Sequence, residues 1–307
     1  IVPGGYAEGK EYRRWEFMRL PHETKEEMVE LEKVNNLLEE WIKPEQGQLI
    51  RHSLYSFRSL VTDKWRQGRV LLAGDAAHLI PPFMGQGMCS GMRDVWNLSW
   101  KLDRVLRKEA TDVLLDSYEA ERKPHITEVV KLSMFLGSII CIPDKAEAAK
   151  RDAEFLSENP PKMRPFPKLT DGIIAKDSDD QPLGLAGQLS PHGVVRHQRR
   201  TGRLDLFTNN DNFKLIVSNS SVISALSNEA INKKSLLNID VIKIAERSNA
   251  TDEEYADTQG QILSFMKSNN VETLLVRPDH YIFGASSQPD ELDDLLSQLE
   301  YQLEELT

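Results

Sequence analysis

A carboxylate at the end of a short apolar run, followed by a stiff turn and two close glycines, is the part of this sequence best suited to hold a ligand. Val70, Leu71 and Leu72 form the run, as a buried strand would, and Ala73 and Gly74 remove side-chain bulk where it ends. Asp75 follows. A strong hydrogen-bond acceptor thus stands at the carboxyl end of a predicted strand, where ligands bind in open α/β sheets. Pro81 and Pro82 stiffen the next stretch, and Gly85 and Gly87 permit close backbone approach or a positive φ. A helix is predicted from about Met88, with Met88, Met92, Val95, Leu102, Val105 and Leu106 mostly three or four residues apart and Ser99 filling the remaining step. Its free N–H groups and positive dipole end would face whatever the loop holds, which favours an electron-rich or anionic ligand. Taken alone, Asp75 reads equally well as a turn cap, and Gly85 and Gly87 as plain loop glycines.

The elements that must position these residues fit an α/β chain. Residues 12–20 alternate as a half-buried strand, 26–41 carry apolar residues at helical spacing, and 49–61 return to strand character. Trp15, Phe17, Tyr55 and Phe57 are expected to pack in that sheet, with one or two of them free to line a pocket. Residues 112–120 form a short amphipathic helix, Glu121-Arg122-Lys123 a charged surface turn, and Pro124 opens a further helix to about Ile140. Charge density and a proline cluster mark 144–187 as a linker or surface arm. Strands are predicted at 213–217, 241–245, 273–276 and 281–285, and helices at 221–228, 253–268 and 291–304. His78 reads as a packing or capping residue, Arg93 and Asp94 as a helix-surface ion pair, and Trp96 and Trp100 as core or interface residues.

Bulk properties exclude several roles. The 307 residues allow two domains, and 40% hydrophobic content supports real cores. No run approaches the roughly 18–20 apolar residues that span a bilayer, so no membrane role is expected. The net charge of −10 argues against nucleic acid. Cys89 and Cys141 cannot make a disulfide framework or a zinc cage, which suits a cytoplasmic protein with reduced thiols. His22, His52, His125, His192, His197 and His280 are too scattered for a metal centre, and none is expected.

The sequence GDAAH at 74–78, then PP at 81–82, GQG at 85–87, RD at 93–94, NL at 97–98 and WKL at 100–102 resembles the second flavin-binding motif of the single-component FAD-dependent aromatic hydroxylases. The branch it is most similar to contains the 3-(3-hydroxyphenyl)propionate hydroxylases and pentachlorophenol monooxygenases. LLDSYEAER at 114–122 and LLVRPDHYIFG at 274–284 resemble later segments of the same family. The resemblance covers 11–125 well and 183–304 more loosely. The family's opening G-x-G-x-x-G turn has no counterpart: Gly4, Gly5 and Gly9 do not fit the spacing, and the third glycine of Gly85, Gly87 and Gly91 is one place late. The chain is therefore expected to be the C-terminal part of a longer enzyme, holding FAD only weakly by itself.

The resemblance implies the end of a substrate-binding sheet region at 1–62 and the C-terminal part of a glutathione-reductase-like FAD-binding domain at 63–143. It further implies a linker at 144–187 and a thioredoxin-like domain at 188–307, without redox cysteines. It implies FAD held by Gly74, Asp75, Pro82, Gly85, Gln86, Gly87, Met88 and Cys89. Asp75 would bond the ribityl chain, and the Met88 and Cys89 N–H groups would meet the pyrimidine edge. Pro82 would lie beside the substrate and the reactive flavin edge. The implied reaction uses NAD(P)H, O2 and a flavin C4a-hydroperoxide to hydroxylate a phenol, in a homodimer. A flavin epoxidase or decarboxylating hydroxylase of the same fold, and a non-catalytic fragment or assembly piece, remain as alternatives.

Overall fold

The computed structural model describes residues 2–162, 164–248 and 250–304. In chain order, the first elements are β1 (Val2–Ala7), β2 (Lys10–Arg14), α1 (Leu31–Leu38), β3 (Leu60–Val61), β4 (Arg66–Gln67), β5 (Val70–Leu71) and β6 (His78–Leu79). Three helices come next: α2 (Gly87–Leu106), α3 (Asp116–Ile140) and α4 (Lys145–Phe155). Then come β7 (Val194–His197), β8 (Arg200–Arg203), β9 (Lys214–Val217), α5 (Ser220–Ser224), α6 (Asn228–Leu236) and β10 (Asp240–Glu246). The chain ends with β11 (Tyr255–Asp257), α7 (Gln261–Ser268), β12 (Thr273–Val276), β13 (Ile282–Ser286) and α8 (Pro289–Glu304). Residues 1–58 with 134–163 make one compact unit, and 59–133 with 164–307 a second.

In the first unit, β1 and β2 pair antiparallel as a hairpin. Gly5 and Gly9 take φ values of 88° and 75° there, which β-carbon sterics make costly for other residues. The strand expected at 12–20 stops at Arg14, and the long helix expected at 26–41 reduces to a turn at Glu27–Val29 followed by α1. Of the expected strand at 49–61 only Leu60–Val61, in the second unit, is extended and paired, with β6. Tyr55 and Phe57 are exposed, and Trp15 and Phe17 half-buried. Their alternation therefore does not mark a packed sheet; Phe17 instead meets Trp41, ring centroids 5.6 Å apart.

The second unit is built on a seven-stranded sheet of order β13-β12-β9-β10-β11-β7-β8. β10 runs parallel to β9 and β11, and β12 antiparallel to β9 and β13. Side chains alternate across it, as the period of two in a strand requires. Leu215, Val217 and Leu275 join one buried cluster with the α8 leucines Leu292, Leu295, Leu296, Leu299 and Leu303. Ile216, Leu274 and Val276 join another with Ile262 and Met266 of α7. Both faces of the central strands are covered, so β9 and β12 read as continuous apolar runs. The expected helix at 253–268 divides into β11 and α7, and β7 and β8 are strands that the sequence pattern did not announce. Leu169, Ile173, Ile174, Ala175 and Ala186 are also buried, four of them in the first cluster. Among the described residues, no single helix is long and apolar enough to cross a membrane.

Two expectations fail at α3. Asp116 to Ile140 is one helix with Pro124 inside it, not two helices parted by a turn. Glu121 and Arg122 are 1% and 0% exposed rather than on the surface. A proline inside a helix removes one backbone hydrogen bond, and the buried packing of Tyr118, Ile126 and Val130 against Trp65 and Ala77 offsets that loss.

Candidate functional site

The acidic turn is positioned by a small core. β4 and β5 form a short antiparallel pair, and Trp65, Ala77, Tyr118, Ile126 and Val130 pack beneath it with Leu71, Leu72 and Ile80. The strand expected at 70–72 is short and lies open at Val70, which is exposed. The Tyr118 hydroxyl donates to the Leu72 carbonyl at 2.9 Å, and Ser133 Oγ to the Pro81 carbonyl at 2.8 Å, so both ends of the segment are tied to α3. Gly74 takes a φ of 58° in the turn. A β-carbon on Gly91 would stand 3.2 Å from the Gly74 Cα, so the turn lies directly against the start of α2.

Asp75 is exposed, and among the described residues no hydrogen bond or ion pair involves its carboxylate. The turn Pro82–Met84 leads to Gly85, left-handed at φ 62°, and Gln86 precedes the helix without a side-chain capping bond. The first N–H groups of α2 are thus not taken up by a cap, and such groups seek an acceptor. Pro82, Gly85 and Met88 are exposed, while Gln86, Gly87 and Cys89 are half-buried. A glycine loop, an uncapped helix N-terminus and an unpaired carboxylate on one turn fit a large ligand carrying hydroxyls and electron-rich edges.

Helix α2 reverses the expected polarity. Met88, Met92 and Val95, read as its core face, are 75%, 58% and 57% exposed. Its inward residues are Ser90, Asp94, Asn97, Trp100 and Lys101. Asp94 is therefore not half of a surface pair with Arg93. Its Oδ2 accepts from the Gly74 N–H at 3.1 Å and from His78 Nε2 at 2.6 Å, and its Oδ1 accepts from Arg122 Nε at 2.9 Å. Arg93 instead bonds Gln86 Oε1 at 3.1 Å and lies over the Phe166 ring. His78 is buried as expected, but with a hydrogen bond to Asp94 rather than by apolar packing alone.

A second buried group adjoins the first. Glu121 Oε2 accepts from Asn97 Nδ2 at 2.6 Å, Lys101 Nζ at 2.9 Å and Arg277 at 2.6 Å, and Oε1 accepts from the Ile173 N–H at 2.9 Å. Asp279 closes the group on Arg277 and Asn97. Burial works to raise the Glu121 carboxyl, but Arg277 and Lys101 outweigh it and hold it at about 2. Burial draws Lys101 down to about 8 against the pull of Glu121. Nothing local in the sequence announces these pairs, because Arg277 lies far along the chain from its partner Glu121.

Two neutral histidines make the fold sensitive to acid. Burial, then Arg122 and Arg93, push His125 down to about 3, and burial, then Lys214, push His280 to about 4. Below about pH 6.5 the unfolded chain takes up protons that the folded chain refuses until these lower values, so stability falls as pH drops from 6.5 toward 3. Glu121, depressed in the folded state, extends the loss below about pH 4.5. The urea midpoint is expected to fall steadily from pH 7 to pH 4, and His125→Asn is expected to flatten that slope. A midpoint independent of pH over this range would contradict the assignment.

Residues 2–133 match the FAD binding domain family, and 187–302 the HcaD C-terminal domain family. The chain is 33% identical over 296 residues to the "Probable NADH-specific resorcinol 4-hydroxylase" of Rhodococcus jostii (strain RHA1), covering 95% of this chain and 54% of that protein. It is 31% identical over 312 residues to the 3-(3-hydroxy-phenyl)propionate/3-hydroxycinnamic acid hydroxylase of Shigella sonnei (strain Ss046), covering 94% and 55%. The chain is thus a relative of the FAD-dependent aromatic hydroxylases, and it spans about half the length of these curated relatives. Its fold is shared by two solved structures. One is the flavin-dependent monooxygenase PieE in complex with FAD and substrate (TM-score 0.65, 19% identity, 93% of this chain and 56% of that one). The other is aklavinone-11 hydroxylase with FAD and aklavinone (TM-score 0.61, 21% identity, 91% and 52%).

Proposed function

We propose that the protein carrying this chain is an FAD-dependent monooxygenase that hydroxylates a small phenolic compound, using NADH or NADPH and O2. The observation that carries the proposal is the exposed Asp75 carboxylate, without a partner among the described residues, on a turn packed against the uncapped start of α2. In this reading Gly74 and Asp75 hold the sugar-alcohol part of FAD, and Gly85, Gln86 and Gly87 let the backbone come close to its ring system. The N–H groups of Met88 and Cys89 stabilise negative charge on the reduced ring, and rigid Pro82 borders the substrate side. Bound FAD supplies the activation of O2; the chain orients the ring, excludes water and presents N–H donors. The resorcinol hydroxylase relative is named NADH-specific, which favours NADH as reductant.

The finer architecture is part of the same proposal. Residues 1–62 would end a substrate-binding sheet, 63–143 would close a glutathione-reductase-like FAD-binding domain, and 144–187 would link it to a thioredoxin-like domain at 188–307. The central strand order β13-β12-β9-β10, with β12 antiparallel, supports the last of these, as does a family match that begins at residue 187. Cys89 and Cys141 both fall outside that segment, so its role there is structural, in a homodimer.

The test is turnover. The protein expressed from its complete coding sequence should retain flavin, oxidise NADH in the presence of resorcinol or 3-(3-hydroxyphenyl)propionate, and place one atom of ¹⁸O2 in the product. A protein that binds no flavin and transfers no oxygen to any phenol of a broad panel would favour the non-catalytic reading instead.

A further inference from the structure

The inward side of α2 carries Ser90, Asp94, Asn97 and Lys101 beside Trp100, while Met88, Met92 and Val95 face outward, unlike an ordinary core helix. Buried ionic groups seldom add stability over apolar residues of equal size, so their arrangement calls for another account. Their connectivity supplies it. The 277–281 segment brings Arg277, Asp279 and Tyr281 from the strand-rich C-terminal part to the inward faces of α2 and α3. The Tyr281 hydroxyl accepts from Arg122 at 3.1 Å, and the His125 ring nitrogen Nδ1 accepts from the same guanidinium nitrogen at 3.1 Å. The Nε of Arg122 then binds Asp94, and Asp94 binds the Gly74 N–H and His78. All of these side chains are buried. One turn along α2, Asn97 is held by Asp279 at 2.8 Å.

We propose that the 277–281 segment is a clamp that sets the flavin-binding turn through Tyr281, Arg122 and Asp94. Asp94 is a positioning residue: it touches no ligand in this scheme but fixes the Gly74 amide, and hence the direction in which Asp75 presents its carboxylate. The C-terminal part then serves the cofactor site by geometry, without redox chemistry of its own. The inference rests on the reading that the Gly74–Asp75 turn holds FAD.

The test compares four variants of the protein made from its complete coding sequence. Tyr281→Phe keeps the ring and removes the hydroxyl; one lost hydrogen bond of ordinary strength corresponds to a rise in the FAD dissociation constant of about two- to tenfold. Its bound flavin should show an altered visible circular dichroism, because the ring sits differently. Arg122→Lys keeps the charge but cannot reach Asp94, Tyr281 and His125 together, and should show the same two changes. Thr273→Val removes a buried hydroxyl of the same C-terminal part, one that bonds the Ser286 hydroxyl, and should leave both readouts alone. Asp75→Ala reports on the site itself. Weak FAD binding in Asp75→Ala with unchanged binding and dichroism in Tyr281→Phe and Arg122→Lys would overturn the clamp and keep the site. Equal losses in Tyr281→Phe and Thr273→Val would also overturn it, as general loosening. Unchanged binding in Asp75→Ala would remove the site and the clamp together.

Discussion

Glu121→Ala is expected to destabilise the protein by about 3–5 kcal/mol, the usual cost of stripping one partner from a buried ion pair. Glu121 is 1% exposed, and Arg277 and Lys101, both buried beside it, would lose the carboxylate that each contacts. Asp279 would still face Arg277, but Lys101 would be left with the Asn97 side-chain oxygen at 3.0 Å and the face of the Trp100 ring. The Ile173 N–H would lose its acceptor as well, and the space beside Gly172 that the Glu121 chain fills would open. Glu121→Gln preserves shape and most hydrogen bonds, and its loss should be smaller. Urea unfolding at pH 7 measures both. A loss under about 1 kcal/mol for Glu121→Ala, within the range of ordinary surface changes, would mean that the buried group is not formed.

Asp75→Ala is expected to act in the opposite manner, leaving the fold alone and weakening the cofactor. The residue is exposed and has no protein partner among those described, so its removal should leave the urea midpoint where it is. A hydrogen bond from a sugar-type hydroxyl to a charged carboxylate contributes roughly 1.5–3 kcal/mol, equivalent to about ten- to hundredfold in affinity. Asp75→Asn keeps one acceptor oxygen and should lose less. Fluorescence titration of FAD into the flavin-free protein gives the number. Unchanged affinity would take Asp75 out of the site.

The contrast between these two variants marks what a sequence discloses. The strand–turn–helix order around Asp75 was legible because each step has a local cause: glycines where φ is positive, prolines where the chain stiffens, a helix where the pattern turns to three and four. The sheet of the second unit was legible for a similar reason, since β9 and β12 are largely apolar runs of strand length and β10 carries Val241, Ile242, Ile244 and Ala245 around a single lysine. Short β7, β8 and β11 were not, because their residues are mixed and their pairing partners distant. The role of α2 was misjudged at Met88, Met92 and Val95, where periodicity gives a stripe but not the side of the helix that faces inward. Asp94, Glu121 and Arg122 were misplaced at the surface because their counter-charges lie on other elements: Asp94 and Arg122 pair with each other, and Glu121 pairs with Lys101 and Arg277. A charged residue looks solvated until its partners are known.

The most direct measurement of the central claim is amide hydrogen exchange of the protein from its complete coding sequence, with and without FAD. The N–H groups at the uncapped start of α2 have no helical acceptor, so they exchange fast unless a ligand takes them up. FAD is predicted to slow exchange at 74–76 and 85–89 more than anywhere else in 59–133. Protection confined to other segments, with 74–76 and 85–89 exchanging as fast as before, would contradict the assignment of this turn and helix as the flavin site.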